Sequence, residues 1–261
     1  MLVRELRPRP HAWSQYQQNC MLIALPFRAL EWSLEWSAYY LSRWALLEVL
    51  EYLSVLSVLF AVIFYFAESG DRQKQKHYQA WQVVNTAQGK GGSGGRIEAL
   101  QELNADHVSL TGVDVGGAFL RGIQLERAHL ERCDMHAADL RTGDLRFARL
   151  SDSNLQSANL RQTDLTGVDL QSAELQDVDL NAANLTQADL AYADLSRVDL
   201  RFADVSGISW KDIQTMKLAN VYGMKNASAE FLDFATKHGA VSLASDDDWN
   251  VLLRQASSDQ K

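Results

Sequence analysis

The sequence predicts an all-β solenoid, a square coil of five-residue sides, preceded by an N-terminal transmembrane helix and closed by helical caps. Three observations predict it. From 110 to 205 every fifth residue is large and aliphatic: 17 of these 20 are Leu, with Val115, Met135 and Val205 as exceptions. Two places before each stands a mostly short residue, and ten of the 20 are Ala. Upstream, the nineteen residues from Val49 to Ala67 hold a single charge, Glu51. A strict period of five is neither the 3.6 of an amphipathic helix nor the 2 of a strand, and fixed-period self-similarity marks a solenoid.

Residues 1–48 come first. All three prolines (Pro8, Pro10, Pro26) lie here, with Arg4, Arg7 and Arg9 in a basic tail. The apolar run Cys20–Leu25 is short and is followed by Pro26 and Arg28, so it does not read as a cleaved signal peptide. From Ala29 to Trp44, Trp32, Trp36, Tyr39, Tyr40 and Trp44 recur at one helical face. Such a face suits the headgroup layer of a bilayer, or packing on a partner element. Residues 49–67 follow as the transmembrane helix, since nineteen apolar residues at ~1.5 Å each span about 28 Å. Arg72, Lys74 and Lys76 follow the span closely. By the positive-inside rule they put the downstream part in the cytoplasm, while the N-terminal arginines pull the other way.

Residues 68–105 link the two parts. Gln73 to Ala87 reads as a helix with Tyr78, Trp81 and Val84 on one face, followed by a flexible joint, Gly89–Gly95. The joint lacks the GxxxxGK[ST] pattern of a phosphate loop. Arg96 to Leu103, with Ile97, Leu100 and Leu103 apolar, reads as the N-terminal cap that the exposed end of a solenoid needs.

Residues 106–205 are the rod. With two of every five side chains inward, four sides close a coil of about 20 residues, and five coils at ~4.8 Å make a rod on the order of 25 Å long. The position before the central Leu is Asp or Asn in most repeats, as in Ala138-Asp139-Leu140 and Ala158-Asn159-Leu160. A short carboxylate or amide there can hydrogen-bond turn backbone. Cys133 falls at an inward small position and reads as a buried free thiol. This pattern resembles the A(D/N)LXX pentapeptide-repeat proteins. The resemblance covers about 100 residues and implies a right-handed quadrilateral β-helix. The membrane segment, the Tyr78–Gln82 helix and the Gly-Gly-Arg before the repeats are similar to those of bacterial membrane-associated members, which implies the bacterial inner membrane.

Residues 206–261 read as a C-terminal cap. The repeat phase persists to Ile208 and Trp210, Lys211–Met216 reads as a short helical turn, and Ser228–His238 as a helix with Phe231, Leu232 and Ala235 inward. Ser245-Asp246-Asp247-Asp248 opens a last helix carrying Trp249, Val251, Leu252 and Leu253, with a disordered tail from about Ser257.

Charge and chemistry narrow the function. The formal charge of −8 and pI near 5.2 argue against general nucleic-acid binding. The rod holds 17 Asp and Glu against nine Arg, and no Lys. His107, His129 and His136 do not recur at a 20-residue step, the two cysteines make no CxxC, and no nucleophile motif is present. The reading is therefore a non-enzyme with no cofactor, no metal and no small-molecule substrate. Folding the repeats modulo 20 stacks Arg121, Arg141, Arg161, Asn181 and Arg201 into a candidate interaction face, beside Phe119, Asp139, Asn159, Asp179 and Asp199. Asp114, Asp134, Asn154, Glu174 and Asp194 stack into a candidate acidic edge. The leading expectation is a membrane-anchored scaffold that docks an unknown protein partner. The alternatives are a DNA-mimic inhibitor of a type II topoisomerase, by the family resemblance, and an accessory subunit of a channel or transporter.

Overall fold

The computed structural model describes residues 7–17, 25–43, 45–86 and 93–258. Cys20, Trp44 and most of the Gly89–Gly95 joint lie outside the described residues. The chain divides into two units, Met1–Gln73 and Lys74–Lys261.

In the first unit, α1 (Trp13–Gln17) packs on α2 (Leu25–Ser42) through aromatic rings. Trp13 meets Trp32 at 5.6 Å between centroids, and Trp36 meets Tyr39 at 5.7 Å. The Trp32 indole donates to the His11 carbonyl at 3.0 Å. Trp32 of the aromatic face is thus covered by α1, and the exposed large side chains of α2 are Phe27, Leu30, Leu34, Tyr40 and Leu41.

The long helix α3 (Ala45–Thr86) follows. Its described residues from 52 to 65 are all exposed and almost all apolar. The transmembrane helix expected over 49–67 is nevertheless not supported, because no helix among the described residues is long and apolar enough to cross a membrane. The side chains at 49, 51, 66 and 67 lie outside the described residues.

In the second unit the last turns of α3 bury Ala80 and Val84, while Tyr78, read on the same face as Val84, is exposed. α4 (Arg96–Ala105) buries Ala99, Leu100 and Leu103 in the core that continues into the N-terminal end of the rod. It also satisfies the first coil's open edge. Gln101 Oε1 accepts from the Gln124 N–H at 3.0 Å, and Asn104 Nδ2 donates to the Glu126 carbonyl at 3.1 Å. Without such partners those backbone groups would be left unpaired beside a core.

The rod is square and its chemistry repeats at every corner. The central residue's carbonyl accepts from the N–H three residues on, as in Ala158 N to Leu155 O at 2.9 Å. The residue between, Ser157, takes φ 58°, and Arg127 and Tyr192 take the same left-handed conformation. This is the turn whose third residue must have positive φ, normally a place for Gly. The coils impose it on any side chain, because the turn and the inter-coil hydrogen bonds outweigh a cost of ~1–2 kcal/mol per residue.

Each side bridges the coils above and below through one residue, as Asp134↔Asn154↔Glu174 in parallel. Among the described residues there are isolated bridges only and no extended strands, because a turn every five residues leaves one residue per side free to pair. Inward Leu and Ala fill the interior almost without exposure.

The rod also runs further than the expected boundary at 205. Its bridges step by 20 up to Asp189↔Ser209, then by 21 from Asp194↔Thr215 to Asp204↔Lys225. One residue inserted after Ser209 is absorbed on a side of the coil, where Gln214 N donates to the Ala193 carbonyl while the Thr215 carbonyl accepts from Leu195 N, and a further coil buries Ile213, Met216, Ala219 and Val221. Lys211–Met216 therefore belongs to this coil and is not helical. α5 (Ala229–Lys237) starts at Ser228, whose hydroxyl accepts from Phe231 N at 3.1 Å. It buries Phe231 and Ala235 and packs Phe234 on Trp210 at 4.9 Å, whereas Leu232, expected inward, is exposed. α6 (Asp246–Ser258) closes the second unit; of the tail expected to be disordered, Ser257 and Ser258 are helical and 259–261 lie outside the described residues.

Candidate interaction face of the rod

The expected arginine column and acidic edge each line up along the rod, held in register by the bridges Phe119↔Asp139↔Asn159↔Asp179↔Asp199 and Asp114↔Asp134↔Asn154↔Glu174↔Asp194. What the side chains do there is mostly structural. The residue before the central Leu points an oxygen at the N–H two places on: Asn159 Oδ1 accepts from Arg161 N at 3.2 Å, Asp179 Oδ1 from Asn181 N at 3.0 Å and Asp194 Oδ1 from Ser196 N at 2.8 Å. A short Asp or Asn reaches this turn donor while a Glu does not, which explains their frequency. Glu174 instead accepts from Gln156 Nε2 at 2.6 Å.

The acidic edge is consequently a hydrogen-bonded ladder. Asp134 also meets the His136 ring at 2.8 Å, and Asp194 Oδ2 accepts from Gln176 Nε2 at 2.7 Å. Burial raises the pKa of both carboxylates, but hydrogen bonds from these partners win and hold each below its ordinary value.

On the arginine column the triplet Asp-Leu-Arg has its own geometry. The carboxylate before the Leu and the guanidinium after it emerge on the same side. Arg141 forks onto Asp139 through Nε at 2.8 Å and Nη2 at 2.6 Å. Arg201 forks onto Asp199 at 2.9 and 2.6 Å, and Arg146 onto Asp144, on the next side, at 2.8 and 2.7 Å. The Arg141 hydrogen bond holds the Asp139 carboxyl below its ordinary value, and Arg146 does the same for Asp144. Arg161, preceded by Asn159, reaches across the coils to Asp179 at 3.3 Å. Arg121 is exposed and takes no ion pair among the described residues.

The contribution of α6 to this face has no signal in the repeat pattern. Arg201 extends Nη1 to Asp246 of that helix, and its guanidinium lies 5.5 Å from the Trp249 ring centroid. Trp249 is buried and donates from its indole to the Leu218 carbonyl at 3.0 Å. Between α6 and the rod lies a cleft of about 300 Å³, lined in part by Arg161, Arg197, Arg201, Asp179 and Asp246. Burial is the main cause that raises the pKa of Asp179 there. α6 thus covers the C-terminal part of the column and leaves Arg121 and Arg141 open. Cys133 is buried, its thiol pushed up to about 11 by burial. Among the described residues no group of three or more His, Cys, Asp or Glu side chains is placed to hold a metal ion.

Comparison with known proteins bears on the rod. Residues 109–146, 144–181 and 179–209 match the pentapeptide-repeat family in eight copies, so this stretch carries pentapeptide repeats and is a solenoid; the match implies a right-handed coil. Among solved structures, a pentapeptide repeat protein from the Arabidopsis thaliana thylakoid lumen is 19% identical, with a TM-score of 0.38, covering 53% of this chain and 81% of that one. HetL, a pentapeptide repeat protein involved in heterocyst differentiation regulation from Nostoc, is 30% identical with a TM-score of 0.24, covering 45% of this chain and 61% of that one. QnrB1, a plasmid-mediated fluoroquinolone resistance protein, is 12% identical with a TM-score of 0.29, covering 56% of this chain and 84% of that one. No curated protein matches the sequence.

Proposed function

We propose that this chain is a non-enzymatic interaction scaffold, a stiff repeat rod that docks a protein partner and is held at a membrane by its first unit. One observation carries the reading. Every described residue from 52 to 65 is exposed, and the eleven large apolar or aromatic side chains among them are 46–76% accessible. Burying such a side chain contributes roughly 1.5–3 kcal/mol when complete, so the stretch strongly favours an apolar surrounding. Lipid supplies that, and a run that continues into the apolar residues 66 and 67 supports a single pass through the membrane. Arg72, Lys74 and Lys76 then favour the cytoplasmic side for the rod, at the inner membrane of a bacterium. The rod's interior is filled by Leu and Ala, which favours recognition on its faces over chemistry in a cavity. DNA mimicry is the weaker reading, because Arg141, Arg146, Arg161 and Arg201 neutralise carboxylates that a mimic would expose.

Cell fractionation tests the attachment. The full chain should stay with alkali-washed membranes, and protease should cut the rod in inside-out vesicles but not in spheroplasts. Release by alkali would sink the membrane reading.

A further inference from the structure

We infer that the open end of the arginine column, Phe119 with Arg121 and Arg141, docks a helix of a partner protein that presents a carboxylate and an aromatic ring three residues apart. This rests on reading the rod as a docking module and names what it docks. α6 already sits on the same column two coils beyond Arg161 and shows what the column accepts. The Arg201–Asp199 fork occupies Nε and Nη2, and the remaining Nη1 takes the carboxylate of Asp246, while Trp249, three residues later, packs under the guanidinium.

Arg141 repeats that arrangement. Its fork on Asp139 uses the same two nitrogens at nearly the same distances, and Nη1 takes no partner among the described residues. The Arg141 side chain is 41% exposed, whereas that of Arg201 is 8% exposed under α6.

Charge favours an acidic occupant at this end. At Phe119, Arg121, Asp139 and Arg141 the column and its neighbours hold two arginines against the single carboxylate of Asp139. From Asn159 to Arg201 two arginines, Arg161 and Arg201, are matched by two carboxylates, Asp179 and Asp199. A free acidic helix is therefore drawn to the open end.

Shape agrees. Of the two residues at each preceding corner, the second is Gly117, Ala137 or Ser157, where under α6 it is Asp177 or Arg197. Along that line no charged side chain stands between a helix and the column. Coils stack at ~4.8 Å and a helix rises ~5.4 Å per turn, so carboxylates three or four residues apart meet arginines on consecutive coils. Phe119, 51% exposed, offers the aromatic a contact at the end of the row.

A fluorescent peptide carrying residues 244–258 is the probe, titrated by anisotropy against the full chain in detergent. Binding should weaken at least tenfold in Arg141→Glu, and equally when the peptide carries Asp246→Asn or Trp249→Ala. Arg132→Glu, on another column, should leave it unchanged. Arg141→Lys keeps the charge without the fork and should lose several-fold, with unchanged circular dichroism showing that the rod is intact. Absence of binding overturns the inference. So does binding that falls with Arg201→Glu and not with Arg141→Glu, since the peptide would then be exchanging with α6. Equal loss in Arg132→Glu would reduce it to general charge attraction. Self-association of the full chain abolished by Asp246→Arg would assign the face to a second copy and overturn it as well. If the peptide fails while site-specific crosslinking from another side of the rod captures a partner, the scaffold reading stands and only this face is lost.

Discussion

Replacing Trp249 with Ala should release α6 and leave the rod folded. Among the described residues Trp249 is the buried side chain of that helix, with Leu252 and Leu253 half-buried and Val251 exposed. A tryptophan buries ~150–250 Å², worth roughly 4–6 kcal/mol at about 25 cal/mol per Å², an upper bound for a real unfolded chain. Its indole hydrogen bond to Leu218 adds about 1 kcal/mol. Truncations of this kind cost ~3–5 kcal/mol. A 13-residue helix is marginal by itself in water, so the loss should be local melting of α6. Hydrogen exchange on the full chain reads this directly. Amides of 246–258 should lose roughly 10²–10⁴ in protection, at about 1.4 kcal/mol per factor of ten, while those of 109–209 keep theirs. Unchanged protection of α6 would show that the contact with Trp249 does not hold it. Protection lost along the whole rod would show that α6 is part of the core's end cap, and the idea of a separable helix on an arginine face would fall.

Three further outcomes follow from the rod's repeats. Leu150→Ala removes a fully buried side chain in the middle of the rod and should cost about 2–5 kcal/mol in urea unfolding, whereas Gln171→Ala on the surface should stay within ~0.5 kcal/mol; similar effects would refute the inward assignment of the central column. Gly167 has φ +65°, and a Cβ there would come within 2.6 Å of the Phe147 ring, so Gly167→Val should lower the melting temperature, and Phe147→Ala should recover only the steric part. Asp139 and Asp144 are held by their arginines below the ordinary value of 3.8, so each adds stability above its unfolded pKa and loses it as pH falls through the folded one. Asp179, raised by burial, works the other way and gains from protonation. The melting temperature should therefore hold near neutrality and fall below about pH 4, with a shallower fall in Asp139→Asn/Asp144→Asn; an unchanged slope would show that these pairs do not contribute.

The rod was legible because its information is periodic. One five-residue rule fixes the inward positions, the turn and the capping oxygen together, and each coil tests the rule again. The rule fails after Ser209 for a definable reason. An extra residue shifts the phase by one, so Met216 and Val221 sit inward where an uninterrupted count of five would place Thr215 and Asn220. The helical reading of Lys211–Met216 failed at the same place. Ile213 and Met216 stand three residues apart, and in so short a window that spacing cannot tell a helical turn from a shifted coil.

The site was legible only in part, and the division is physical. That the arginines stack follows from the period alone. That Asp139 and Asp199 neutralise Arg141 and Arg201 could have been read from the Asp-Leu-Arg triplet, which places a carboxylate and a guanidinium on the same side of one short turn. The partnership of Arg201 with Asp246 and Trp249 could not, since 45 residues and a turn of direction separate Arg201 from Asp246, and no local pattern encodes where a terminal helix settles. The aromatic face of α2 stayed open between two readings for a related reason: periodicity shows that Trp32, Trp36 and Tyr39 share a side, but not whether α1 or lipid covers it. An amphipathic pattern names a surface and leaves its partner open. On the rod, α6 names one such partner for one end of the column, and the open end carries the same guanidinium geometry with a surplus of positive charge.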